Sequence, residues 1–314
     1  MSTPSTATRA DRRARLMRSA TYASVAVAVG LVIAKTWAWR ATDSVSVLSS
    51  LADSFLDILA SLLTFWAVRF SLEPADVEHR FGHGKSEGLA ALLQSVIIAG
   101  SGLFVGTEAV QRLLAPAPVE RPVAGMAVIL ASTLVTLALL SWQRYVSRET
   151  GSMAIAADAV HYQTDLFVNV SVVAAVAIAA FTGLAWVDPA VGLGVAAYLA
   201  WGAWSIAAQY LDVLLDREIP EADRQRIRDL AVRHGKVLGF HDLRTRHGVA
   251  GYIVQFHLEL DGQTSLVATH RILDEVEAWI ENAYPGCEII IHPDPLGFAE
   301  RRDRFEDAVD LAAN

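Results

Sequence analysis

Six stretches of this 314-residue chain are long and apolar enough to cross a lipid bilayer, and nothing else in it restricts the fold so severely. In hydrocarbon every backbone N–H and C=O must be satisfied within its own segment or in a closed barrel, so runs of this length read as helices. They fall near 18–39, 44–70, 88–113, 123–144, 152–182 and 186–212. Between the fifth and sixth stands "TGLAWVDPA", a short turn with Gly, Pro and an interface-type Trp186. The basic head "RADRRARLMR" before the first run has the charge order of a signal peptide. The run is about 20 residues long and more spans follow it, so a retained membrane helix is expected.

Composition agrees: 53% of residues are hydrophobic and only 19% charged, where a soluble protein carries about a quarter charged. The charges are sparse up to about residue 210 and dense after it, which predicts a membrane part followed by a soluble part. A net charge of −8 gives no support for a nucleic-acid partner. Lys and Arg gather in the N-terminal tail (Arg9, Arg12, Arg13, Arg15, Arg18), the second loop (Arg80, Lys85) and the fourth (Arg144, Arg148). The other loops hold only Arg40, Arg112 and Arg121 near their ends, so both termini are expected in the cytoplasm. The single cysteine, Cys287, excludes an internal disulfide and any CxxC metal motif, and reads as a small core residue.

From about Ile219 the texture changes. "PEADRQRIRDLAVRHG" predicts an amphipathic helix with Pro220 near its start and Gly235 as a stop. "GYIVQFHLELDG" alternates, with Tyr252, Val254, Phe256, Leu258 and Leu260 on one face and Gln255, His257 and Glu259 on the other, the pattern of a half-buried strand. "TSLVATHRILDEVEAWIENAYPG" reads as a helix, "CEIIIH" as a short buried strand and "GFHDLRTRH" as the first strand. The order helix–strand–strand–helix–strand is a small α+β domain. The last residues, "GFAERRDRFEDAVDLAAN", read as a solvated tail or frayed helix. The expected layout is therefore a cytoplasmic tail over 1–17, a six-helix transmembrane domain over 18–212, a cytoplasmic αββαβ domain over 213–295 and a C-terminal tail over 296–314.

Within the second span, "LADSFLDILASLL" carries Asp53 and Asp57 four residues apart, on one helical face. A carboxylate at mid-bilayer depth costs about 2.5–3.5 kcal/mol on insertion scales, so it needs a partner or a water-filled cavity. The fifth span repeats the arrangement in "ADAVHYQTDLFVNV", with His161 and Asp165 again at i, i+4. Three carboxylates and one imidazole suit a tetrahedral borderline ion such as Zn²⁺, and the imidazole argues against Mg²⁺ or Ca²⁺. The residues alone also allow a structural hydrogen-bond network or a proton path without metal.

"DSFLD" on the second span, "HYQTD" on the fifth and "PADVEHRFGHGKSEGLAALLQS" between the second and third resemble the cation diffusion facilitator family, in its bacterial zinc and ferrous-iron efflux branch. The likeness runs from about residue 18 to 295. It implies a metallochaperone-like fold for the soluble domain and a transport site formed by Asp53, Asp57, His161 and Asp165. It implies a second, looser site from Asp76, His79 and His83 in a loop that "FGHG" keeps from being helical. In the cytoplasmic domain it implies a binuclear site from His241, His257, His270, His292 and Asp294, where a carboxylate bridges two metals. His234 and His247 have no such counterpart. Pro293 departs from the pattern, since close relatives can have a polar residue there; its carbonyl remains available but a side-chain ligand does not. Lys85 and Asp216 are implied as a charge interlock at the cytoplasmic neck of a homodimer.

The function so expected is a homodimeric inner-membrane antiporter that exports Zn²⁺, or alternatively Fe²⁺ or Cd²⁺, from the cytoplasm in exchange for protons. Zn²⁺ is expected both as cargo and as a structural or regulatory ion. Metal and protons compete for the same carboxylate and imidazole atoms, and that competition becomes exchange if the site faces the two sides in turn. No P-loop and no "DKTG" motif suggests an ATPase. Two rivals remain at this point: a membrane-anchored metal sensor, and a metallohydrolase built on the binuclear centre.

Overall fold

The computed structural model describes residues 6–42, 45–114, 123–182, 186–248, 251–297 and 309–310; side chains are described at most of these, though not at Asp53. The chain divides into two units, 1–74 with 83–211, and 75–82 with 212–314.

The first unit holds six long helices: α1 (Thr6–Thr42), α2 (Val45–Ser71), α3 (Lys85–Leu114), α4 (Val123–Thr150), α5 (Met153–Thr182) and α6 (Val187–Leu214). Each coincides with a span expected from the sequence. Four of them carry windows apolar enough to cross a membrane among the described residues. α1 runs unbroken from Thr6 through the basic N-terminal stretch. Arg13 Nε donates to the Thr150 carbonyl at 2.9 Å, fastening this extension to the end of α4.

Helix faces divide by polarity. Trp37, Leu103, Phe104, Trp201 and Trp204 point outward, as a helix in lipid requires. Inward faces use small residues, such as Ala20, Ala67, Ala90 and Ala154 around Met17 and Ile155. α3 and α6 approach so closely that a Cβ on Gly102 would stand 3.0 Å from that of Leu199. Small residues allow this contact, since apolar side chains gain little by leaving lipid for each other.

The second unit is built on α7 (Glu221–Val232), β1 (Gly239–His247), β2 (Tyr252–Leu260), α8 (Leu266–Ala283), β3 (Glu288–Pro295) and the two-residue β4 (Val309–Asp310). The sheet order is β3-β2-β1-β4. β1 and β2 are antiparallel, β2 and β3 parallel. One sheet face, with Val254, Phe256, Leu258 and Leu260, forms the core with Ile227 and Ala231 of α7 and Ile272, Val276 and Ile280 of α8. β3 lies at a sheet edge, where Pro293 and Pro295 are tolerated because no ladder donor is needed on the outer side. β4 falls in the stretch read from sequence as a tail or frayed helix; it pairs Val309 with Phe240 on the open edge of β1.

Candidate metal sites

In the membrane unit, α2 carries a polar stripe at positions 54, 57, 61 and 64, spaced three and four residues apart, which a helix gathers on one face. Ser54, Ser61 and Thr64 on it are buried. α5 answers with Asp158, His161, Tyr162 and Asp165. His161 is buried, and its Nε2 lies 3.4 Å from Asp57 Oδ1 and 3.6 Å from Asp165 Oδ2. One ligand atom from each of the three residues falls within 4.8 Å of the others, a spacing that a single ion can span. Among the described residues, neither ring nitrogen of His161 has a hydrogen-bond partner. A buried imidazole left this way is a costly arrangement that a ligand would relieve. Asp53 lies one turn before Asp57 on α2, but its side chain is outside the described residues.

A second polar cluster on α5 was not anticipated from the sequence. Asp158 is buried and accepts hydrogen bonds from Ser24 at 2.8 Å, Gln143 at 2.6 Å and Gln94 at 3.3 Å. Ser24 also meets Ser61 at 2.8 Å, and Ser61 meets the Tyr162 hydroxyl at 2.9 Å. The cluster ties together side chains of α1 to α5. Its one sequence signal is the position of Asp158, three residues before His161 in "ADAVHYQTD". Glu87 at the start of α3 is likewise buried. It accepts from Ser71 at 2.9 Å and from Ser152, linking the end of α2 to the start of α5.

The loop residues fall in different units. In the second unit Asp76 and His79 are exposed. Asp76 Oδ1 caps a turn by accepting the backbone N–H of Glu78 at 2.9 Å and of His79 at 2.6 Å, and lies 3.3 Å from His79 Nδ1. His83, in the first unit, is buried edge-on against Phe70 with ring centroids 4.4 Å apart. Lys85 is the first residue of α3, and Asp216, in the second unit, pairs with Arg246 at 3.2 Å.

The cytoplasmic cluster is assembled by strand register. His241 of β1 pairs with His257 of β2, and His257 pairs with His292 of β3, so three imidazoles stand side by side across the sheet. Period-two alternation puts Asp294 on the same face as His292, away from the helix-covered core. Asp294 is the hub: its Oδ2 lies 2.7 Å from His257 Nδ1 and 3.5 Å from His241 Nε2, and its Oδ1 lies 3.2 Å from His292 Nε2. One carboxylate touching three imidazoles, with its two oxygens divided among them, suits a ligand that bridges metals. Two acidic residues join that the sequence reading passed over: Glu259 lies 3.6 Å from His241, and Asp242 lies 3.8 Å from His257. His270 of α8 is exposed, with Asp274 3.6 Å away, and is not among the side chains that Asp294 gathers.

A multi-helix membrane unit with a buried acid–imidazole set, joined to an α+β unit carrying a histidine cluster, defines a membrane metal-cation transporter. Residues 21–215 match the cation efflux transmembrane domain, and residues 219–296 match the cytoplasmic domain of cation efflux proteins. The chain belongs to the cation efflux family, the cation diffusion facilitators. The cation-efflux pump FieF of Cronobacter sakazakii is 42% identical over 287 residues, covering 91% of this chain and 95% of that protein. FieF of Salmonella typhimurium is 40% identical over 295 residues, covering 92% and 96%. A solved structure of CzrB in a Zn form is 35% identical, covers 27% of this chain and 99% of that one, and superposes with a TM-score of 0.25. Members of the family are transporters and not enzymes, which removes the metallohydrolase reading.

Proposed function

We propose that the chain is a homodimeric antiporter of the bacterial inner membrane, with both termini in the cytoplasm, that exports Zn²⁺ in exchange for protons. Fe²⁺ and Cd²⁺ are the alternative cargoes. The observation that carries this reading is the convergence of Asp57, His161 and Asp165 from two membrane helices, with no hydrogen-bond partner for either ring nitrogen of His161 among the described residues. Asp53, on the same helix as Asp57, is assigned as the fourth ligand on its sequence position.

In this reading the imidazole of His161 selects for borderline ions over Mg²⁺ and Ca²⁺, which favour all-oxygen shells. The carboxylates neutralise the ion in a medium that solvates charge poorly. When the ion leaves, protons take its place on the same atoms, so the gradient across the membrane drives export without nucleotide. The dimer is supported by the match of residues 219–296 to the family's cytoplasmic domain. His241, His257, His292 and Asp294, with His270, are assigned to metal that stabilises that domain and biases the transporter. Asp76, His79 and His83 are assigned to a loop metal site, and Lys85 and Asp216 to an interlock between charges at the neck.

The test is metal uptake into proteoliposomes containing a metal-sensitive dye, with and without a pH gradient. Asp57→Ala or His161→Ala should abolish uptake while the protein stays folded. Full uptake by either variant rejects the site, and uptake indifferent to the gradient rejects proton exchange.

A further inference from the structure

Lys35 stands inside the apolar first membrane helix, in "LVIAKTWAW". Its ammonium donates to the Ser54 hydroxyl at 2.6 Å, on the polar stripe of α2. The same side chain lines a cavity of about 40 Å³ together with Asp57, Asp165, Tyr162 and Thr136. A space of that size holds one small ion or one water and little more. Two carboxylates of the proposed transport site and one fixed cation thus share a single compartment.

A lysine within a membrane helix is costly and points to a partner charge or a pathway. We propose that Lys35 is the tethered counter-cation of the transport cavity. It balances the carboxylates when no metal is bound, opposes the charge of an incoming divalent ion, and so holds the affinity low enough for the ion to leave. This rests on the assignment of Asp57, His161 and Asp165 as the transport site. Lys35 is a positioning residue here and not a metal ligand, because an ammonium has no lone pair to give.

Asp57 and Asp165 alone would hold a divalent ion tightly in a low-dielectric compartment, where like charges also repel strongly. Tight binding at both membrane faces slows turnover, since uniform binding lowers half-saturation without raising rate. A built-in positive charge raises the free energy of the loaded state and leaves the ligand set intact. Ser54 fixes where the ammonium rests, one turn of α2 before Asp57.

The experiment uses the full-length protein in nanodiscs, titrated with Zn²⁺ by calorimetry, and in proteoliposomes for transport. The binding component that Asp57→Ala removes reports the membrane site. In Lys35→Gln that component should tighten by about tenfold or more, with half-saturation and maximal rate of transport both falling. Lys35→Arg keeps the charge and should restore the weaker binding. Lys35→Met gives the same readout should Lys35→Gln fail to fold, and melting temperatures establish folding for each. Unchanged or weaker Zn²⁺ binding in a folded, charge-free variant overturns the proposal. A wild type with no Asp57-dependent component overturns the transport-site assignment itself, and this inference with it.

Discussion

Gln143 of α4 donates its amide to Asp158 of α5 at 2.6 Å, with both residues only 1% exposed. Asp158 accepts two further donors, Ser24 and Gln94, so one carboxylate satisfies three helices besides its own. Losing it orphans the buried Gln143 amide, while Ser24 keeps Ser61 and Gln94 keeps the Ala60 carbonyl and Thr64. Asp158→Ala should therefore destabilise the membrane unit by about 1–3 kcal/mol, the cost of one orphaned buried group. Asp158→Asn should cost less, because it keeps the shape and one acceptor. Thermal unfolding of the detergent-solubilised protein checks this, and a wild-type melting temperature for Asp158→Ala would refute it.

Asp294 holds His241, His257 and His292 in the cytoplasmic cluster. In an Asp57→Ala background, which silences the membrane site, Asp294→Asn should weaken the remaining Zn²⁺ binding at least about tenfold by calorimetry. Chelation of the wild-type protein should lower its melting temperature, since an ion at 100 times its Kd stabilises the folded state by about 2.7 kcal/mol. A chelator without effect would show that metal does not stabilise this unit.

Gly251 packs on backbone. A Cβ there would stand 2.6 Å from the Gly286 carbonyl oxygen and 3.0 Å from the Cys287 nitrogen, neither of which can swing aside. Gly251→Ala should cost the cytoplasmic unit about 1–3 kcal/mol, as overpacking generally does. Chemical denaturation followed by the fluorescence of Trp279 would measure it; an unchanged midpoint would contradict the contact.

Cys287, just before β3, has its thiol pushed up to about 11, chiefly by burial and then by the neighbouring Glu281 and Glu288. At pH 8 its thiolate fraction should be on the order of a hundredfold lower than that of an ordinary cysteine, with labelling by a thiol reagent slowed in proportion. The folded value is raised, so the associated stability is present below the unfolded value and is lost as pH rises toward 11. Rapid labelling at pH 7 would contradict this.

Much of the architecture was legible because it follows from periodicity. The spans are forced by apolar length, and the αββαβ order by alternating and amphipathic patterns. The pairs Asp57 with Asp53 and His161 with Asp165 were visible because i, i+4 spacing is itself a statement about one helix face. Asp158, Glu87 and Lys35 were not singled out, since a single ionisable residue does not reveal which other helix it meets. The same holds for Asp242 and Glu259, whose neighbours come from strand pairing. The N-terminal extension of α1 meets the end of α4 through Arg13 and Thr150, far apart in sequence. β4 is too short to carry a pattern of its own.

The parallel pairing of β2 with β3 sets His257 opposite His292 and Glu259 opposite Asp294. Side chains alternate strictly along a strand, so a β3 paired one residue out would turn both His292 and Asp294 toward the apolar face. A metal ion would then find a single imidazole pair where it needs a shared carboxylate. An ion in that cluster would thus act as a register lock, favouring chains whose edge strand has zipped up correctly over slipped ones.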